Sequence, residues 1–246
     1  MDVSLGVFVA VGFVAQLIDG AMGMAYGVTS TTFLLSVGVS PAFASAGVHT
    51  AEVFTTLVSG LSHWRFGNVN WSLVKRLVIP GVVGGVLGAY VLSSIPARTI
   101  KPFVAAYLLI MGLVIIVRAF KRPEAREVRR GLIPLGAVGG VLDAIGGGGW
   151  GPIVTSTLVA RGNDPRFTIG SVNLTEFFVT VAEAATFFGF IGLGNWRIIV
   201  GLLIGGVLAA PLAAYVCKKL PTRILMVLVG VAIVALQIRT LWLALS

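Results

Sequence analysis

The chain has 246 residues, of which 57% are hydrophobic and only 11% charged, and its mean hydropathy is +1.00. A soluble domain needs roughly 25% charged residues to face water, so this composition excludes a water-soluble globule and makes lipid the solvent for most of the surface. The formal net charge of +9 does not mark a nucleic-acid binder, because the basic residues fall in short clusters between apolar runs, as topology signals do.

Along the chain, "MDVSLGVFV" lacks the basic start of a cleavable signal peptide, and none is expected. Residues 5–18 are apolar, 19–27 glycine-rich and 28–38 apolar again. At 1.5 Å per residue that second arm reaches only ~16 Å, about half the hydrocarbon thickness. Three apolar segments follow, at about 41–64, 73–92 and 98–117, and each meets the ~20 residues that a spanning helix needs. After a basic stretch at 121–130 the order recurs: 132–142 apolar, 143–151 glycine-rich, 152–160 apolar, then long segments at 166–191, 196–216 and 222–243. The predicted organisation is a first transmembrane repeat (1–120), a basic cytoplasmic linker (121–130) and a second repeat (131–246), which together make one membrane domain. The single cysteine, Cys217, excludes an intrachain disulfide and a cysteine cluster, and its expected role is that of a small buried residue.

Displaced by 124 residues, the separation of Asp19 from Asp143, the chain matches itself. Gly23 meets Gly147, Gly27 meets Gly151, Thr31 meets Thr155, Pro41 meets Pro165, Glu52 meets Glu176 and Phe54 meets Phe178. After one inserted residue, Asn70-Trp71 matches Asn195-Trp196 and Pro96-x-Arg98 matches Pro221-x-Arg223. Chance matches between apolar segments would be mostly Leu, Val and Ala, so acids, prolines, glycines and tryptophan in one register point to duplication, as in many secondary transporters.

Each glycine-rich element can be a broken helix that crosses once or a hairpin that dips in and returns. Hairpins give each half an odd number of crossings, and the repeats are then inverted. That arrangement leaves only Arg98, Lys101, Arg197 and Arg239 outside. Single crossings would instead put Arg161, Arg166, Lys218, Lys219 and Arg223 outside and bring Arg197 and Arg239 in. The positive-inside rule prefers hairpins. The expected fold is therefore all-α and polytopic: two inverted repeats, each a glycine-rich element plus three spanning helices, with both termini outside.

In this arrangement the two glycine-rich tips meet near the midplane, where exposed backbone is tolerated only if it lines a cavity or is buried in protein. Gly146 to Gly151 also fits G-x-G-x-x-G, but no strands surround it and no P-loop lysine follows, so a nucleotide site is not expected. Pro152 suits the first position of a new helix, which places helix N-termini, with their unpaired N–H groups and positive dipole ends, at the tips. The tip residues Gly23, Met24, Ala25, Tyr26 and Gly27, and Gly147, Gly148, Gly149, Trp150 and Gly151, are therefore candidate anion-binding residues. For Gly84-Gly85 and Gly139-Gly140, inside spanning segments, close helix packing is the expected role.

Asp19, Asp143, Glu52, Glu176 and Glu183 lie in or beside apolar segments, where ionisable groups are costly and functional by default. His49 and Glu52 share a helix face, as do Asn173, Glu176 and Glu183. No Lys or Arg lies mid-span, so an anion would be held by N–H dipoles, by Thr50, Thr175 and Asn173, and by His49 when protonated. A carboxyl taken out of water favours its neutral form and can carry a proton. This makes Asp19, Glu52, Asp143 and Glu176 candidates for proton coupling. The plainer reading, that Glu52 and Glu176 only tie helices together, stands beside it. His63, Trp71 and Trp196 read as interface residues.

"GGGGWGPI" after an apolar segment, its echo "GAMGMAYGV", and "SPAFASAGVHTAEVF" against "DPRFTIGSVNLTEFF" resemble the TauE/SafE family of sulfite and organosulfonate exporters over essentially the whole chain. Met22, Met24, Ala25 and Val28 depart from the glycines and proline of the second tip, which implies a lopsided site. The resemblance implies a carrier in the bacterial or archaeal inner membrane that moves a small sulfur-containing anion outward. Expected partners are that anion and membrane lipid, with a homo-oligomer left open; no nucleic acid, cofactor or resident metal is expected. The rival reading is a cation or metal carrier that uses the intramembrane carboxylates and His49 as ligands. An enzyme has little support, because no nucleophile–base pair is evident.

Overall fold

The structure is a computed structural model that describes residues 4–22, 24–120, 130–192, 194–219 and 222–245. Gly23, residues 121–129 of the linker and the side chains of Cys217, Lys218 and Lys219 lie outside the described set. The described elements are all helical: α1 (Leu5–Met22), α2 (Tyr26–Ser36), α3 (Pro41–Arg65), α4 (Trp71–Ser94), α5 (Ala97–Arg118) and α6 (Leu132–Gly146) in order. A wide π-helical turn (Gly151–Thr155) then runs into α7 (Ser156–Ala160), followed by α8 (Pro165–Ile191), α9 (Trp196–Lys219) and α10 (Thr222–Leu245). Four helical stretches, Trp71–Ser94, Ala97–Arg118, Arg166–Ile191 and Met226–Leu245, are long and apolar enough to cross a bilayer. At 25 residues α3 is also long enough, but Ser45, His49, Thr50, Glu52, Thr55 and Thr56 make it the polar exception. Large apolar side chains such as Ile79, Phe103 and Trp242 stand exposed on the outside, as a lipid-facing surface allows.

The same residues set helix starts in both halves. Pro41 and Pro165 occupy the first positions of α3 and α8, where the missing N–H costs nothing. Asn70 and Asn195 cap α4 and α9 by accepting the N–H of the residue two further on, each at 3.0 Å. The repeat extends to packing: α1 packs on α9 and α6 on α4, while α3 packs on α8 and α5 on α10. Each half thus gives its first helix to the other half's fourth. A Cβ on Gly12 would strike the backbone of Leu202, and one on the equivalent Gly136 would lie 3.1 Å from the carbonyl oxygen of Leu77, the residue equivalent to Leu202. Gly84 and Gly140 likewise let the α4 and α6 backbones touch, in keeping with the packing role expected for them. Gly85 has a different use: a Cβ there would lie 2.6 Å from Glu183 Oε1.

Both glycine-rich elements reverse the chain. α6 ends at Gly147, whose φ of 65° closes the helix in the left-handed conformation. A Cβ on Gly139 would lie 2.6 Å from Val154, and one on Gly131 3.4 Å from the Arg161 guanidinium. A continuous helix would hold residues 139 and 154 about 22 Å apart. The second element therefore starts and ends on the same face of the protein. In the first half, α1 and α2 line one apolar groove together with α10.

Candidate functional site

The two reversals bring the tips together. A Cβ on Gly27 would lie 2.5 Å from the Gly148 Cα and 3.0 Å from both the Gly147 carbonyl and Glu52 Oε1, so the tips touch backbone to backbone. Gly148 holds φ at 138°, and Ala25 holds 105°, the only non-glycine with positive φ among the described residues. Thr31 on α2 donates its hydroxyl to the Gly147 carbonyl, which ties one tip to the other.

A narrow cavity lies where they meet, lined by Asp19, Met24, Ala25, Tyr26, Gly27, Val28, Glu52, Gly148, Gly149, Gly151, Pro152 and Glu176. It has room for about one water molecule. The N–H groups of Gly27 and Val28 belong to the first turn of α2, which a helix leaves without intrahelical acceptors. Carboxylates take the turn-opening N–H groups nearest the breaks. Asp19 Oδ1 accepts from the Tyr26 N–H at 3.2 Å, and Asp143 Oδ1 accepts from Gly149 and Trp150 at 2.6 and 2.9 Å. The bond from Asp19 to Tyr26 and that from Asp143 to Trp150 are the same bond in the two halves.

Other predicted residues sit elsewhere. Trp150 is fully buried against Gly81 and Gly139, and its indole N–H points to the Val172 carbonyl at 3.3 Å. Thr50 and Thr175 turn their hydroxyls onto the helix carbonyls of Ala46 and Ser171, at 2.6 and 2.7 Å. Thr50 borders a separate pocket with Phe187 and Phe188. Asn173 donates to Ser59 Oγ at 2.9 Å. His49 is buried in a cluster with Glu183, Asp143 and Glu52, its Nε2 lying 2.9, 3.6 and 4.0 Å from their oxygens. The antiparallel packing of α3 on α8 explains both pairs, because His49–Glu183 and Asn173–Ser59 are repeat equivalents. One of them is ionisable and the other neutral.

Two residues enter that sequence reasoning did not place at the site. Glu183, counted among the costly intramembrane acids but given no role at the site, is a full member of the cluster. Arg118, at the end of α5, reaches inward to donate to Ser156 Oγ and lies 3.1 Å from the sulfur of Met24, a residue of the cavity wall. Its position in the last turn of a helix, with a long flexible stem, was the available signal.

With the geometry in place, the family profile described as "Sulfite exporter TauE/SafE" matches residues 8–240. The chain belongs to the TauE/SafE family. Three proteins of Bacillus subtilis (strain 168), each named a probable membrane transporter protein, are similar to it. YtnM is 44% identical, with 97% of this chain and 84% of that protein covered. YjnA is 24% identical over 86% and 89%, and YdhB is 26% identical over 84% and 86%. No solved structure matches the chain. Membership in TauE/SafE, together with the apolar helices, makes this a multi-pass membrane protein of a transporter family.

Proposed function

We propose that the chain is a secondary transporter of the inner membrane that exports a small sulfur-containing anion, sulfite or an organosulfonate, through the cavity between the tips. The observation that carries this reading is the cavity itself, walled by the glycine backbones of both halves. The first turn of α2 presents N–H groups and a positive dipole end to it. Arg118 beside Met24 adds a cation close to that wall. The space fits one water, so an anion enters only when Gly27 and Gly148 part. The tip contact then acts as the closed gate of a carrier.

Asp19, Glu52 and Glu176 share the wall. An ionised carboxylate repels an anion in so small a space, so binding the anion favours a proton on Glu52 or Glu176, and the two ligands are linked. An inside-negative potential drives a monoanion outward with about 2.3 kcal/mol per 100 mV. A proton travelling with it cancels that drive.

The test uses proteoliposomes carrying the purified protein and loaded with sulfite, methanesulfonate or sulfoacetate. Outward flux should respond to a pH gradient and, where one proton accompanies a monoanion, little to an imposed potential. Glu176→Gln should lose the pH response and leave flux that follows the potential. Absence of flux for all of these anions under either gradient would defeat the proposal. A retained pH response in Glu176→Gln would make that residue a structural tie. A cation carrier would instead move divalent metal across the same vesicles, whatever anion is present.

A further inference from the structure

Behind the tip cavity, His49 on α3, Asp143 on α6 and Glu183 on α8 turn fully buried side chains toward one point between the two halves, with ligand-capable atoms all within 4.8 Å of one another. We infer that this cluster binds a divalent transition-metal ion of the zinc class through His49 Nε2, Asp143 Oδ2 and the Glu183 carboxylate, with Glu52 Oε2 at its edge, 4.0 Å from Nε2. The inference is independent of the transported substrate and departs from the sequence expectation of no resident metal.

The hydrogen bonds around His49 fix what its ring presents. Nδ1 lies 2.8 Å from the Ser45 carbonyl oxygen and 3.1 Å from Ser45 Oγ. That hydroxyl has already committed its proton to the Ala144 carbonyl at 2.6 Å. Both neighbours of Nδ1 therefore accept, and Nδ1 carries the ring proton. Nε2 then faces three carboxyl groups, an arrangement that calls for a proton or a cation between them. A proton on Nε2 would serve one partner, and the nearest, Glu183 Oε2 at 2.9 Å, stands off the axis of a hydrogen bond. His49 Nε2, Glu52 Oε2, Asp143 Oδ2 and both Glu183 oxygens are buried without a hydrogen-bond partner. One metal ion between them partners His49 Nε2, Asp143 Oδ2 and a Glu183 oxygen at once.

The dimensions and surroundings agree. Ligands about 2.0–2.1 Å from a tetrahedral ion are about 3.3 Å from one another. The separations from Nε2 of 2.9, 3.6 and 4.0 Å bracket that value. A metal-binding histidine ordinarily donates its other N–H to a carbonyl, and a binding carboxylate is itself hydrogen-bonded. His49 does the first through Ser45, and Asp143 does the second through Gly149 and Trp150. Imidazole mixed with carboxylates suits zinc and its divalent transition neighbours, whereas calcium and magnesium prefer oxygen alone. An ion here would pin α3, α6 and α8 together. It would also be felt at the tips, because Asp143 holds the second tip and Glu52 walls the cavity.

The test is calorimetric titration of the full-length purified protein, stripped with chelator, with Zn²⁺, and with Mg²⁺ as the control. Expected are one Zn²⁺ per chain, no comparable Mg²⁺ binding, and affinity weakened about tenfold or more in His49→Gln and in Glu183→Gln. His63→Gln, which changes the other histidine, should bind as the wild type does. Zinc-edge X-ray absorption of the wild-type complex needs no variant and should show nitrogen and oxygen neighbours with an imidazole signature. The inference is overturned if the wild type takes up no Zn²⁺, if both variants bind as tightly as the wild type, or if sulfur appears in the coordination shell.

Discussion

Asp143 accepts two backbone N–H groups with one oxygen, at 2.6 and 2.9 Å, whereas the equivalent oxygen of Asp19 accepts one, at 3.2 Å. Hydrogen bonds to a charged acceptor contribute roughly 1.5–3 kcal/mol each, about twice a neutral one. Asp143→Ala should therefore lower the unfolding free energy of the purified protein by more than Asp19→Ala does, with a difference of roughly 1.5–3 kcal/mol. Asp143→Asn, which keeps an acceptor oxygen without the charge, should fall between wild type and Asp143→Ala. Denaturant titration in detergent measures this, and equal losses at the two aspartates would show that the tip bonds carry no weight. The repeat made this pair legible in the sequence, since acids at matching positions stand out among leucines and valines. That their oxygens face backbone N–H groups was not legible, because it depends on the chain reversing four residues after Asp143. The tip N–H groups are taken by Asp19 and Asp143. Glu183 escaped the site for a related reason. Its repeat partner is Ser59 and that of His49 is Asn173, so no repeated motif marked the pair that the packing of α3 on α8 brings together.

Each broken element consists of a long first arm and a short second arm joined through backbone that only glycine adopts freely, and the first tip breaks that rule at Ala25. An alanine in left-handed backbone costs roughly 1–2 kcal/mol, partly offset by the smaller entropy that alanine loses on folding compared with glycine. Ala25→Gly should therefore stabilise the protein by up to roughly 1 kcal/mol, read as a rise in thermal midpoint. Gly148→Ala should act in the opposite direction. Its φ of 138° disfavours a side chain, and its Cβ would press into Gly27 across the tip contact. A stabilised Gly148→Ala would mean that the tips do not meet as described. The short arms and the glycine runs were visible as lengths and composition. Which glycines serve packing was not: Gly146 and Gly149 lie against the Tyr107 ring, from a helix that the sequence does not connect with the tip. Hydropathy measures how much of the chain is apolar and does not record whether it turns back, so hairpin and single crossing could be separated only by charge distribution.

At the scale of the molecule, the reversal of the second element decides more than its own shape. Gly131 and Arg161 adjoin, so the element adds no crossing. If α8, α9 and α10 each span once, the half crosses three times, as does its repeat equivalent in α3, α4 and α5. An odd count places the second half upside down relative to the first, and the exchange of α1 and α6 between α9 and α4 is then packing about an axis in the membrane plane. The basic residues set the absolute orientation. The orientation proposed with hairpins puts Arg118 at the end of α5 and Arg161 on the cytoplasmic face, and Ser4 and Leu245 outside. Exposed positions suited to single cysteines, in a Cys217→Ser background, are Ser4, Arg161 and Leu245. In intact right-side-out cells or vesicles, a membrane-impermeant maleimide should label Ser4→Cys and Leu245→Cys directly. Arg161→Cys should label only after permeabilisation. Labelling of Arg161→Cys from outside would mean that the second element crosses the membrane, the halves run parallel, and the tips cannot approach the midplane from opposite faces. The proposed carrier would then lose the symmetry that lets one cavity open to each side in turn.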